Sequence, residues 1–479
     1  MHNTVRFVLD DKIVEIDFTK AGLKPSTTVL NYLRSNPLHK GVKEGCAEGD
    51  CGACTIVVAE PGNNGDLLYK ALDSCLVFLP MIHGKQIITV ENLAEKGKAG
   101  ILLHPVQQML VETNGTQCGY CTPGIAMSLF ALFKNHSSPS REVIEETLTG
   151  NLCRCTGYQP LIEAAFEACK GGPDHFSRRE KKVMTLLEGI NSGRETLEIL
   201  TESQSYYKPF TLPEALRLRK EKPGAVVISG STDVALRQTK KRELLPVILD
   251  ISGIEEMKSF TETDRDLVFG AALTLEQVKE ISDKRIPALN KILRVFGSLQ
   301  IRNIATLGGN IGSASPIGDT LPLLFALKAN IKVCSSGSER IIPVEEFITG
   351  YRKTDVRDDE LITEVIVPKT PDGVILESYK VSKRRNLDIS TVSAGFRLKT
   401  RDGIIEEIAL AFGGMAATPK RALKTEQFLE GKKWTRGTVQ DAMKIVHDEF
   451  SPLSDARAGA EFRKTVAANL VLKFYSETT

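Results

Sequence analysis

Eight of the ten cysteines in this 479-residue chain lie between Cys46 and Cys155, while Cys169 and Cys334 stand apart. Their spacing constrains the chain more than its composition does. Cys46, Cys51, Cys54 and Cys75 read C-x4-C-x2-C-x20-C, and Cys118, Cys121, Cys153 and Cys155 read C-x2-C, thirty-one residues, then C-x-C. The opening MHNTVRFVLDDKIVEID reads as strand, polar turn and strand, not as a signal peptide. A cytoplasmic location is therefore expected, where thiols stay reduced and clustered cysteines read as metal ligands before disulfides. Cys169 and Cys334 have no partners in the pattern and are expected to be packing residues.

The first set has the spacing by which plant-type ferredoxins hold a [2Fe–2S] cluster. Three thiolates on one loop wrap the iron pair, and a fourth from a later segment closes the cage. Gly45, Gly49 and Gly52 in GVKEGCAEGDCGACT let the backbone fold tightly and turn N–H groups toward sulfur. Zinc favours two C-x2-C pairs, and only one stands here beside an x4 gap. In the second set each cysteine pair precedes a helical pattern, IAMSLFALFKN behind Pro123 and LIEAAFEAC behind Pro160. Helix N-termini suit thiolates and a net-negative cluster. On spacing alone this set stays open between zinc and a second iron–sulfur cluster; the ferredoxin-type loop beside it favours the latter.

Length predicts roughly three domains. With 42% hydrophobic and 25% charged residues, the chain has the balance of a globular protein with sizeable cores. Lys+Arg of 62 against Asp+Glu of 60 leaves a net charge of +2, which excludes nucleic acid and anionic membrane as principal partners. The apolar run 125–133, broken by Ser128, falls short of the ~20 residues that span a bilayer.

Strands are expected at VRFVL, IVEID, CTIVVAE and QIITVE, with a helix at TTVLNYLRSN and Ser26 or Thr27 near its N-cap. That pattern is a β-grasp ferredoxin domain over residues 1–88. Residues 89–170 read as helices, and 171–207 as a polar, partly helical connector whose Arg178, Arg179, Lys181 and Lys182 form a solvated face. Strands and helices alternate over 208–372, and a further α+β segment with a helical end covers 373–479. Two glycine-bearing turns there suit phosphate: Ser229-Gly230-Ser231-Thr232-Asp233 after a strand, and ATLGGNIGSASPIGDTLP with Gly308, Gly309, Asn310, Gly312 and Asp319. Neither is G-x-G-x-x-G, so neither is a Rossmann site.

The strings GCAEGDCGACTI, QCGYCTPGIAMS, TGNLCRCTGYQPLIEA, ISGSTDV, IRNIATLGGNIGSASPIGDTLP and FITGYRKT resemble the iron–sulfur/flavin part of the molybdenum hydroxylases, most of all the small subunit of bacterial xanthine dehydrogenases. The resemblance implies two [2Fe–2S] clusters and an FAD held between two α+β lobes of the vanillyl-alcohol-oxidase type. Carried over position by position, it implies that Val227, Ile228, Ser229, Gly230, Ser231, Thr232, Asp233 and Val234 line the FAD. Thr306, Gly309, Asn310 and Asp319 would meet its pyrophosphate and sugar region, with Phe296 near the isoalloxazine and Ile362 and Lys380 adding contacts. Read from the sequence alone, Phe296 and Ile362 are core residues and Lys380 a surface lysine. Arg384 and Asp388 are implied near an NAD acceptor, although Leu387 stands where some members carry a second acid.

The same resemblance implies a separate large subunit that holds the molybdenum cofactor, usually in a dimer of heterodimers. That partner would oxidise a purine, and electrons would pass through the helical-domain cluster, the ferredoxin-type cluster and FAD to NAD. No carboxylate pair, Ser/His/Asp order or histidine spacing marks a catalytic site in this chain. Equivalent subunits serving aldehyde, carbon monoxide or aromatic thioester oxidation are alternatives, as is a zinc-stabilised binding module without redox activity.

Overall fold

The computed structural model describes residues 3–9, 11–62, 65–97 and 100–479. It forms two compact units, Met1–Leu218 with Gly224–Gly253 and Ser298–Ala305, and Arg219–Pro223 with Ile254–Gly297 and Thr306–Thr479.

The first unit is built around a five-stranded mixed sheet in the order Lys12–Asp17, Thr4–Leu9, Gln86–Ile88, Thr55–Pro61, Leu67–Asp73. Thr4–Leu9 runs parallel to Gln86–Ile88, and the other neighbours are antiparallel. Val57 and Ala59 face a core shared with the helices, whereas Ile56 and Val58 face the opposite core. Burial on both faces explains why TIVVA is continuously apolar rather than alternating. Helix Val29–Ser35 buries Val29, Leu30 and Leu33, and its N-cap is Thr28, next to Thr27.

The helices expected over 89–170 are Pro105–Glu112, Thr122–Asn135, Arg141–Leu148 and Gln159–Ala168, preceded by a short hairpin of Glu95–Gly97 and Gly100–Leu102. Thr122–Asn135 is buried on nearly all sides from Gly124 to Leu132, as its apolar composition demands. Much of the stretch expected as connector is the helix His175–Asn191, capped by Asp174, which buries Phe176, Val183, Leu187 and Ile190. Its four basic residues are exposed, and Arg178 and Arg179 pair with Glu95. Cys169 is buried in the helical core, a packing residue as expected.

A second sheet in this unit runs Val226–Ile228, Val247–Asp250, Ser205–Lys208, Leu197–Leu200, the first three parallel. Tyr206 and Ile248 join the core beneath the ferredoxin-like sheet.

The second unit holds an antiparallel sheet of Phe260–Glu262, Asp266–Gly270, Leu361–Pro368, Asn330–Cys334 and Glu339–Pro343. It also holds an antiparallel sheet of Val374–Val381, Val392–Arg401, Ile404–Gly413 and Lys420–Arg421. Helices Arg436–Glu449 and Ala460–Thr478 cover the latter through a core that includes Tyr379, Phe396, Phe412, Val439 and Phe474. Among the described residues no helix is long and apolar enough to cross a membrane.

Candidate functional site

Strand Leu67–Asp73 accounts for the twenty-residue gap in the first cysteine set. LLYKALD mixes residues that favour helices and was not expected as a strand. Seven pairings with Thr55–Pro61 make it one, and they set Asp73 opposite Thr55. The chain thus returns Cys75 to the end of the ladder beside Cys54, where the Ser74 hydroxyl donates to the Cys54 carbonyl at 2.7 Å. The loop before it turns through positive φ at Ala47, Gly49 and Gly52. The Glu48 and Asp50 N–H groups thereby point to the Cys46 sulfur at 3.4 and 3.3 Å, and the Cys46 N–H points to Cys51 at 3.4 Å. At Gly45 a Cβ would lie 2.7 Å from the Cys51 sulfur, so a larger residue would crowd the thiol.

The second set is assembled at helix starts. Cys121 is the N-cap of Thr122–Asn135, with Pro123 in the first turn. Cys153 and Cys155 precede Gln159–Ala168, whose cap, Tyr158, has φ 69°. The Tyr158 hydroxyl accepts from the Cys153 N–H at 2.7 Å, and the Thr156 hydroxyl lies 3.2 Å from the Cys153 sulfur. Cys118 and Cys155 are exposed, whereas Cys54 and Cys75 are buried.

The thiols shift one another's titration two by two: Cys46 with Cys51, Cys54 with Cys75, Cys121 with Cys153, and Cys118 with Cys155. Among the described residues no three His, Cys, Asp or Glu side chains gather as ligands for one ion. Two plus two is how a [2Fe–2S] cluster divides four thiolates between its irons. The donor chemistry therefore fits such clusters at both sets.

The neighbouring Cys51 thiol, aided by the Glu48 and Asp50 N–H groups, holds Cys46 down to about 5. The neighbouring Cys46 thiol, with burial, pushes Cys51 well up. Cys54 is raised by its bond to Cys75, by burial and by Asp73. Burial and Cys153 push Cys121 up to about 12. Burial likewise raises the Asp73 carboxyl, whose Oδ2 has no hydrogen-bond partner among the described residues.

The residues implied for FAD are divided between the units. In the first, Val227 and Ile228 lie on Val226–Ile228, and Ser229 to Val234 form the turn that follows. A Cβ on Gly230 would sit 1.9 Å from the Ile304 carbonyl, so glycine is obligatory there. Ser231 has φ 57° and binds the Leu76 carbonyl through its hydroxyl, while the buried Ser229 Oγ has no hydrogen-bond partner among the described residues. Thr232 is half-buried and Asp233 exposed.

In the second unit Thr306 caps Leu307–Gly312 and accepts from the Gly309 N–H at 3.1 Å. Asn310 accepts from the Thr320 hydroxyl at 2.6 Å, and Ile362 approaches Gly312. Lys380 is not the surface lysine read from the sequence: its side chain is 4% exposed and pairs with Asp319 at 2.7 Å. It also donates to the Val295 carbonyl at 3.0 Å, and Ser390 donates to Asp319 at 2.5 Å. Phe296 and Ile362 are half-buried rather than core residues. Arg384 and Asp388 share one turn, the Arg384 N–H donating to Asp388 at 2.9 Å, and Leu387 between them has φ 51°.

Residues 89–166 match the family described as [2Fe-2S] binding domain, 201–370 that described as FAD binding domain in molybdopterin dehydrogenase, and 377–478 that described as CO dehydrogenase flavoprotein C-terminal domain. The chain belongs to the molybdenum hydroxylase family. The xanthine dehydrogenase/oxidase of Gallus gallus is 33% identical over 98% of this chain and 40% of its own length. Aldehyde oxidase 2 of Mus musculus is 31% identical over 96% of this chain and 38% of its own length. The chain thus spans about two fifths of the length of the curated relatives it matches. A carbon monoxide dehydrogenase structure from Hydrogenophaga pseudoflava superposes with a TM-score of 0.55 at 23% identity, covering 57% of this chain and 96% of that one. The chain is therefore the iron–sulfur/FAD part of a molybdenum hydroxylase. The zinc-module reading gives way, since Cys118 to Cys155 fall within the [2Fe-2S] binding domain.

Proposed function

We propose that this chain is the electron-transfer subunit of a xanthine dehydrogenase, working with a partner subunit that holds the molybdenum cofactor and oxidises hypoxanthine or xanthine. Bound [2Fe–2S] clusters and FAD supply one-electron carriers and a store that exchanges one electron or two. Cys46, Cys51, Cys54 and Cys75 hold one cluster, and Cys118, Cys121, Cys153 and Cys155 the other. The loop amides of Glu48 and Asp50 and the Thr156 hydroxyl stabilise the thiolate charge. By resemblance, the turn at Ser229 in the first unit and the turn at Thr306 to Asn310 in the second each contribute FAD contacts, and Arg384 and Asp388 would serve NAD. The complex is a cytoplasmic dimer of heterodimers.

The observation that carries this reading is the gathering of the cysteines in two groups of the first unit, with Cys75 returned beside Cys54, loop N–H groups aimed at Cys46 and Cys51, and Cys153 held by Tyr158 and Thr156. The xanthine assignment draws on FITGYRKT and on relatives bearing that name. Its test is NAD reduction by the assembled complex with hypoxanthine, an aldehyde or carbon monoxide as the only reductant. Hypoxanthine should reduce NAD fastest; reduction driven by one of the others alone would reassign the partner's substrate.

A further inference from the structure

We infer that Gln300, Ser128 and Asn151 form a buried clamp that fixes the contact between the two cysteine loops, and thereby the electronic coupling of the clusters those loops hold. The inference rests on the cluster reading above.

The contact includes one backbone-to-backbone hydrogen bond. The Leu152 N–H, next to Cys153, donates to the Cys51 carbonyl at 3.0 Å. It joins a residue of the first cysteine set to the neighbour of a residue of the second through a few covalent bonds and one N–H···O.

Three glycines let the backbones approach this closely. A Cβ on Gly52 would stand 2.2 Å from the Gly150 carbonyl, and one on Gly124 would stand 2.0 Å from the Gly52 carbonyl. A Cβ on Gly150 would stand 2.1 Å from Gln300 Oε1. At Gly52 and Gly124 the space is closed by backbone atoms, and at Gly150 by the buried Gln300 amide.

Around it runs the polar network. Asn151 Nδ2 donates to the Gly52 carbonyl and to Thr55 Oγ1, each at 3.2 Å. Its Oδ1 accepts from Ser128 at 2.6 Å and from Gln300 Nε2 at 3.0 Å, and Gln300 also donates to Ser128 Oγ at 2.9 Å. All three side chains are buried. Gln300 arrives from 149 residues further along the chain, on the short helix Leu299–Arg302. That helix is anchored a second time where buried Arg302 meets Glu146 at 2.6 Å.

Packing alone would fill this place with apolar side chains. Burying an amide costs free energy unless every polar atom is paired, and Gln300 Oε1 has no partner among the described residues. The network keeps that cost and spends its remaining hydrogen bonds on the residues flanking Cys51 and Cys153. Gln300 and Ser128 are thus positioning residues, acting through Asn151 and Leu152 on the thiols.

The test uses the full chain purified without oxygen, with Gln300→Met, which keeps length and bulk but no hydrogen bonds, and Ser128→Ala. Iron, sulfide, the electron paramagnetic resonance of the dithionite-reduced protein and exchange of the Leu152 amide are measured together. Both variants should keep wild-type iron and sulfide, change the spin–spin broadening between the two reduced clusters, and exchange the Leu152 amide about tenfold faster. Ser128→Ala, a small deletion inside a helix, keeps the test open if Gln300→Met does not fold. Wild-type broadening with a protected Leu152 amide in both variants overturns the clamp. Variants that lose iron outright assign the network to folding alone and overturn it too. A wild-type chain without iron and sulfide instead overturns the cluster reading beneath it.

Discussion

The two cysteine groups solve one problem in opposite surroundings. The first is a glycine-rich loop closed by a β-hairpin, with Cys54 and Cys75 buried and three backbone N–H groups aimed at its sulfurs. The second stands at helix starts with Cys118 and Cys155 exposed, and takes a hydroxyl from Thr156. Spacing along the chain makes the thiols meet; burial and donated hydrogen bonds decide how each group behaves once they have met.

Removing one thiol from either group gives the largest effect. Cys51→Ser or Cys121→Ser should each remove about half the iron and lower partner-dependent NAD reduction by about a hundredfold or more. Iron analysis with a turnover assay checks this, and two variants that turn over normally would break the comparison. Glycine substitutions sharpen it. Gly45→Ala strikes only the Cys51 sulfur and should spare the second group, whereas Gly52→Ala strikes the Gly150 carbonyl and should disturb both. Denaturation and iron content should place the Gly52→Ala loss above about 3 kcal/mol.

Exposure then predicts an order of release. On anaerobic incubation with an iron chelator, the group containing Cys118 and Cys155 should bleach first, followed by its distinct resonance signal. Simultaneous loss would mean that burial does not distinguish the groups.

The smallest effect belongs to the ferredoxin-like sheet alone. Burial, with Lys208 and Arg6 nearby, holds His83 down to about 4, and its Nδ1 accepts the Arg6 N–H at 3.2 Å. A histidine whose folded pKa is depressed contributes fully above its unfolded pKa of ~6.5, and that contribution is lost as pH falls through the folded value. Between pH 7.5 and 5 the region should lose about 2 kcal/mol, measurable by denaturant titration, and His83→Gln should flatten the profile.

The cysteine motifs, both helix starts and most strands were legible because periodicity and caps are local signals. Leu67–Asp73 was not, since only its hairpin partner makes it a strand. The helix His175–Asn191 hid behind its polar residues, its buried stripe of Phe176, Val183, Leu187 and Ile190 being sparse. Lys380 looked like any lysine because Asp319 lies sixty-one residues away. Gln300 was passed over for the same reason: its partners Ser128 and Asn151 are brought to it by the fold. TGNLC did carry a hint, in an asparagine placed between a glycine and the cysteines, but nothing in the string says what the amide would hold.

One measurement bears most directly on the account: iron, acid-labile sulfide and flavin assayed on a single sample purified without oxygen. Two clusters and one FAD predict about four irons, four sulfides and one flavin per chain. Zinc in place of iron, with no sulfide, would contradict it.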